Sequence, residues 1–150
     1  MVTIYVHKTD PKAVIPQVAY NNTSAAFDIT CTKETIIPAR QSAVVPNGLN
    51  ISIDQSEKYY MQISLRSSKG FKQELVCHLG IVDPSYCGDL GVKIYNLSDS
   101  DVTIQEGERY AQIVVLPIPQ SEIIELNDEN WEIYKAKQIR GDKGFGSSGF

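Results

Sequence analysis

The chain has little of what metal, membrane and nucleic-acid sites are usually built from. It carries three cysteines, Cys31, Cys77 and Cys87, with no C-x-x-C pair. An odd number without that spacing argues against a disulfide framework and for reduced thiols in a cytosol-like compartment. The two histidines, His7 and His78, are too few and too scattered for a zinc site. No apolar run approaches the roughly 20 residues of a membrane span. The start, MVTIYVHKTD, lacks a basic region followed by an apolar stretch, so no signal peptide is read there. A net charge of -4 leaves no basic footprint for nucleic acid or an anionic membrane. The expectation is a soluble, cytoplasmic protein with no nucleic-acid or membrane partner.

What is present points to β-structure. At 150 residues and 42% hydrophobic content, the chain suits one domain with a core of its own. The stretches ISID, YYMQISL, VKIYNLS, DVTIQ and YAQIVVLPI alternate or run apolar and are rich in Ile, Val, Tyr and Thr. Between them lie turn signals at Pro38, Pro46–Asn47–Gly48, Lys69–Gly70, Asp83–Pro84 and Glu106–Gly107. Many short strands so spaced predict an all-β, jelly-roll-like barrel. Helix is scarce: SSKGFKQE offers a short turn, and EIIEL with NDENWEIYK reads as a strand and a surface excursion. The apolar pattern stops near Lys137, which divides the chain into a domain over 1–137 and a glycine-rich arm over 138–150.

Five stretches carry chemistry. SAAFDIT sets Asp28 in an apolar strand, where a carboxylate is costly unless it meets an arginine or a hydrated cation. LRSSKG places Arg66, Ser67 and Ser68 at a strand end, suited to phosphate or to an ordinary polar turn. LGIVDPSYCGDLGVKIYN reads as a β-hairpin with Asp83 and Pro84 entering its turn. Asp before Pro is a common turn opening, yet a carboxylate at a hairpin mouth can also deprotonate a water. The hairpin's free backbone groups could read the edge of a base. EGERYAQIVV carries Arg109 and Gln112 into a strand. Arginine is rare, four residues against ten lysines, and three of the four fall in these stretches.

The fifth stretch, RGDKGFGSSGF, ends the chain. Its GFGSSG matches the G-x-G-x-x-G dinucleotide fingerprint, but that fingerprint needs a strand before it and a helix after it, and neither is expected around this match. Glycines still let backbone N–H groups approach an anion, and Ser147 and Ser148 add hydroxyl donors. A phenylalanine flanked by glycines can stack on a base. A frayed terminus is the plain alternative.

In order and spacing these stretches resemble the five motifs of the trimeric dUTPase family. That pattern is approximately A-G-x-D-L, R-S-G/S, G-x-I-D-x-D-Y-x-G, G-D-R-x-A-Q and R-G-x-x-G-F-G-S-T-G. This chain has AAFDI, RSS, GIVDPSYCG, GERYAQ and RGDKGFGSSG. The resemblance implies a jelly-roll-like subunit in a homotrimer with shared active sites, and Mg²⁺-dependent hydrolysis of dUTP to dUMP and pyrophosphate. It implies that Asp83 activates the water that attacks the α-phosphorus. Tyr86 would pack on the deoxyribose, and backbone around Cys77, Ile81, Val82 and Gly91 would line the uracil pocket. Arg66, Ser67, Ser68 and Gln112 match positions near the phosphates, with Arg66 a partner for Asp28. Asp28 would help hold the hydrated magnesium through water. Arg140, Phe145, Gly146, Ser147 and Ser148 match a flexible arm that closes over the nucleotide.

The departures are Ala26 and Ser68 for glycines, Cys77 for Asn or Gly, and Pro84 and Cys87 flanking Ser85 and Tyr86. Two of them lean toward the dCTP deaminases, which use R-S-S and I-D-P-G-F-E-G. Deamination there relies on a glutamate, and this chain has Cys87 at that position. A third reading is a trimer that binds nucleotide or a protein partner without turnover, with residues 120–137 as the candidate surface segment.

Overall fold

Apolar and polar residues alternate into strand wherever one face can be buried. The structure, a computed structural model, describes residues 2–18, 23–140 and 142. The first strands are β1 (Ile4–Lys8), β2 (Gln17–Val18), β3 (Phe27–Thr30), β4 (Thr35–Ile37), β5 (Ser42–Val45), β6 (Leu49–Ile53) and β7 (Tyr59–Leu65). Helix α1 (Ser67–Gln73) follows, then β8 (Leu75–Cys77), β9 (Gly80–Val82), β10 (Val92–Asn96), β11 (Val102–Ile104), β12 (Arg109–Pro117) and helix α2 (Asp128–Ala136). The chain divides into two compact units, Met1–Ile118 and Pro119–Phe150.

In the first unit the described strands form four sheets: β1 with β6, β5-β10-β8, β11 with β4, and β2-β3-β12-β7-β9. Each order is open. Short strands hand the chain from one sheet to another before any sheet returns to its first strand. The expected all-β, jelly-roll-like barrel is therefore corrected: among the described residues the architecture is mixed, with open sheets and two α-helices. Helix α1 forms where alternation ceases after β7, and Glu74, in the left-handed region at φ 53°, ends it. The stretch NDENWEIYK, read as a surface excursion, is helical: it caps and forms most of α2, none of whose residues is buried. Asn127 caps it by accepting from the Asn130 N–H at 2.9 Å, and Asp128 and Glu129 suit its first turn. Within it the rings of Trp131 and Tyr134 stack 5.9 Å apart. No strand forms over EIIEL.

The core of the first unit is apolar and strand-borne. Strands β6 and β10 bury every second side chain, including Leu49, Ile51, Ile53, Val92 and Ile94. On β12 the pairing with β3 slips between Arg109 and Ala111, a bulge that inserts Tyr110. Tyr110 and Ala111 are both fully buried as a result. Arg109 is turned outward, and Gln112 returns to register opposite Asp28 and Ser64.

Candidate active site

The stretch 75–96 is a hairpin only at its base. There Cys77 pairs with Ile94, Leu75 pairs with Asn96, and the His78 N–H donates to the Lys93 carbonyl at 3.1 Å. Beyond His78 the arms part, which corrects the simple strand–turn–strand reading. Strand β9 leaves to pair with β7, Gly80 opposite Ile63 and Val82 opposite Met61. The returning arm is held by the Leu90 N–H on the Leu49 carbonyl at 2.9 Å and by a bridge between Asn50 and Asp89. A cavity of about 340 Å³ lies in the opened mouth, lined by Ile81, Val82, Asp83, Tyr86, Leu90 and Gly91 among others. Among the described residues β9 is the last strand of its sheet, so one backbone edge has no strand partner there.

Buried polar contacts fix the mouth. Asn47 Nδ2 donates to the Leu90 carbonyl at 2.6 Å and to the Tyr110 hydroxyl at 3.4 Å. Tyr110 in turn donates to the Val45 carbonyl at 2.9 Å. Burial pushes the Tyr110 phenol well above its ordinary value, so it remains a donor. On the rim, Ser85 sits at φ 67°, a left-handed conformation costing roughly 1–2 kcal/mol. Its N–H is secured on the Ile53 carbonyl at 2.8 Å. The Tyr86 ring lies over Gly88, where an added Cβ would meet the phenol ring and push the exposed tyrosine aside. Asp83 is exposed, and among the described residues its carboxylate has no side-chain partner.

The second cluster gathers around Asp28. Arg66 Nε meets Asp28 Oδ1 at 3.1 Å, and Arg109 Nη1 meets Oδ2 at 3.1 Å. The Asp28 side chain is 12% exposed, so the two guanidiniums largely take the place of water. Gln112 Nε2 donates to Ser64 Oγ at 3.2 Å in the same row of the sheet. Ser67 and Ser68 are exposed at the start of α1. Beneath them Lys69 is buried and forms an ion pair with Glu108, the neighbour of Arg109. Burial raises the Glu108 carboxyl pKa, but the Lys69 hydrogen bond, the Gln105 N–H and the ammonium charge outweigh it. The net shift is below the ordinary value.

The two clusters are far apart on one chain. Asp28 shares a row with Gln112 and Ser64, whereas Val82, which precedes Asp83, lies opposite Met61. Three strand spacings of about 4.8 Å and four rises of about 3.3 Å separate the two backbones by roughly 20 Å. Cys77 lies at the hairpin base and not among the cavity residues; burial raises its thiol pKa. Arg140 is exposed in the second unit. Phe145, Gly146, Ser147 and Ser148 lie outside the described residues.

Among the described residues no group of three or more His, Cys, Asp or Glu side chains could hold a metal ion. Both Asp28 oxygens accept from guanidiniums, so a bare cation finds no inner shell there. The donors suit a cation that arrives with phosphate oxygens and waters of its own. Among the described residues, no helix is long and apolar enough to cross a membrane.

Several contributors carry no local signal of their role in the sequence. Arginine scarcity singled out Arg109, yet its pairing with Asp28 depends on the bulge. Asn47 read as a turn residue, and nothing local marks Lys69 as buried.

The comparisons agree on one family. The dUTPase family model matches residues 12–149. The deoxyuridine 5'-triphosphate nucleotidohydrolase of Arabidopsis thaliana is 33% identical over 144 residues, covering 96% of this chain and 81% of that protein. The corresponding protein of Wolinella succinogenes is 35% identical over 145 residues, covering 95% and 91%. The solved structure of Staphylococcus bacteriophage 80alpha dUTPase with dUPNHPP is similar over 99% of both chains, with a TM-score of 0.86 and 27% identity.

Proposed function

Because the chain belongs to the dUTPase family, we propose that it hydrolyses dUTP to dUMP and pyrophosphate in the cytoplasm. The observation that carries this reading is the exposed carboxylate of Asp83, without a side-chain partner among the described residues, on the rim of an opened hairpin. Asp83 takes a proton from the water that attacks the α-phosphorus. A free Asp is a weak base, so holding the water in line supplies much of the rate. Backbone along the open edge of β9 and at Gly91 reads the uracil edge. The Tyr86 ring packs against the deoxyribose, where a 2′-hydroxyl would collide.

Arg66, Ser67, Ser68 and Gln112 receive the phosphates, with Asp28 keeping the guanidinium of Arg66 in place. Two guanidiniums share one carboxylate there, so the cluster retains positive charge for an anion. Mg²⁺ bound to the triphosphate would neutralise charge developing on the phosphate oxygens, and Asp28 would meet its water shell. The arm, residues 138–150, closes over the nucleotide: Phe145 stacks on the base, and Arg140, Gly146, Ser147 and Ser148 meet the phosphates.

The separation of roughly 20 Å between the Asp83 and Asp28 backbones supports shared sites. One chain cannot bring both groups to one α-phosphate, so a second copy supplies the missing half. A homotrimer sharing three sites satisfies this with closed symmetry.

The test is release of pyrophosphate and ammonia from dUTP and dCTP, with and without Mg²⁺. Pyrophosphate from dUTP, enhanced by magnesium and lost on deleting residues 140–150, is the expected result. Ammonia from dCTP would overturn the assignment. So would nucleotide binding without turnover, which would make the protein a binder.

A further inference from the structure

Helix α1 is held in an unusual way. It has seven residues, too few to be stable alone. Its Arg66 cap makes no side-chain capping bond, Phe71 is 91% exposed, and Lys69 is its one buried residue. The helix is thus seated by an ammonium where an apolar side chain would ordinarily do the packing. Lys69 Nζ pairs with Glu108 and donates to Gln73 Oε1 at 3.0 Å. Glu108 in turn accepts from the Gln105 N–H at 2.9 Å, and its carbonyl accepts from the Cys31 N–H at 2.9 Å. The carboxylate is therefore fixed on the turn that opens β12.

Burying an ion pair is a poor way to gain stability. An apolar pair of equal volume is often as stable or more so. Its advantage is direction, because a charged hydrogen bond sets both distance and angle. The contacts close a ring. Lys69 lies three residues after Arg66, Glu108 precedes Arg109, and both arginines hold Asp28. The Arg66 N–H on the Tyr110 carbonyl, at 3.1 Å, braces the same junction. The charges divide cleanly: Glu108 neutralises Lys69, and the surplus cation is left at Asp28, where an anion can reach it.

We propose that Lys69 and Glu108 are positioning residues for the polyphosphate. They lock α1 to the β11–β12 turn so that Arg66, Ser67 and Ser68 stand in fixed relation to Arg109. This rests on the reading that the Asp28 cluster receives phosphate. The test compares wild type with Lys69→Met combined with Glu108→Gln, which removes both charges at similar volume. Three probes are titrated on the intact protein: the imido analogue of dUTP, dUMP and inorganic tripolyphosphate.

The expected result is unchanged dUMP affinity, with affinity for the imido analogue and tripolyphosphate weakened about 10-fold or more, the scale of a displaced charged contact. The KM for dUTP should rise with it. Equal weakening of all three probes, or of none, overturns the proposal. Lys69→Met alone distinguishes folding from positioning: it should lower thermal stability more than the double change while weakening tripolyphosphate similarly. If wild type binds the analogue but releases no pyrophosphate, the reaction fails while the positioning is still read from these affinities.

Discussion

The hairpin mouth and the Asp28 cluster hold their working groups by opposite means. At the mouth the backbone and buried neutral hydrogen bonds set the shape, through Asn47, Tyr110 and the Leu90 carbonyl. The candidate base there, Asp83, is exposed. Around Asp28 every charged group is held by an ion pair, yet two arginines share one carboxylate while a lysine takes another, so one positive charge is left over. A site that must take a proton needs an unpaired base, whereas one that must receive a polyanion needs cations prevented from scattering. The difference is what a nucleotide with a neutral end and a charged end would require.

The largest effect should come from Asp83→Asn. Turnover is predicted to fall by about 10²–10⁴-fold, the usual contribution of a general base. Affinity for the imido analogue should be retained, because the Asp28 cluster is untouched. Isothermal titration beside a pyrophosphate assay checks both. The comparison sharpens when this variant is mixed in the unfolded state with Arg66→Ala and refolded. If the halves of one site come from different copies, about a quarter of random sites regain both groups, and activity returns from two inactive proteins. Activity no greater than the sum of the parents would place both halves on one chain and sink the shared site.

Asn47→Ala should act on the mouth alone. It removes the donor to the Leu90 carbonyl and the acceptor for the Leu49 N–H, both in buried surroundings. Leaving such groups unpaired costs about 1–3 kcal/mol, seen as a lower denaturant midpoint. The dUMP affinity should weaken with it while tripolyphosphate affinity holds. Loss of both affinities together would mean that the two regions are not independent.

What was legible in the chain was chiefly local chemistry. Asp28 within an apolar strand announced a polar group in an unusual setting, whereas Asp83 before Pro84 and Arg66 after an apolar strand suited an ordinary turn as well as a site. What could not be read depends on partners distant in sequence. The parting of β9 from β10 is decided by their pairing with β7 and β5, not by residues 79–96. The bulge that buries Tyr110 beside Ala111 breaks period two within RYAQ and turns Arg109 toward Asp28. Trp131 and Tyr134, three residues apart, carried a helical signal in α2 that the surrounding polar residues diluted. Open sheets in place of a barrel follow from strand order, which alternation does not encode.

The smallest effect concerns pH and the Lys69–Glu108 pair. The Glu108 carboxyl titrates below its ordinary value of 4.5 because the Lys69 hydrogen bond, the Gln105 N–H and the ammonium charge outweigh its burial. A carboxylate lowered on folding adds stability that is complete above its unfolded value and is lost as pH falls through the folded one. Wild type should therefore exceed Glu108→Gln by a constant margin at neutral pH. That margin should narrow on acidification below about pH 4.5, where the ordinary carboxylate begins to take up protons. The Glu108 side chain is 30% exposed, so solvent and salt screen part of the interaction and keep the change modest. Urea midpoints of both proteins from pH 7 to pH 3 provide the check. Parallel curves would show that Glu108 has the same proton affinity folded and unfolded, and that the pair orients α1 without tying its stability to pH.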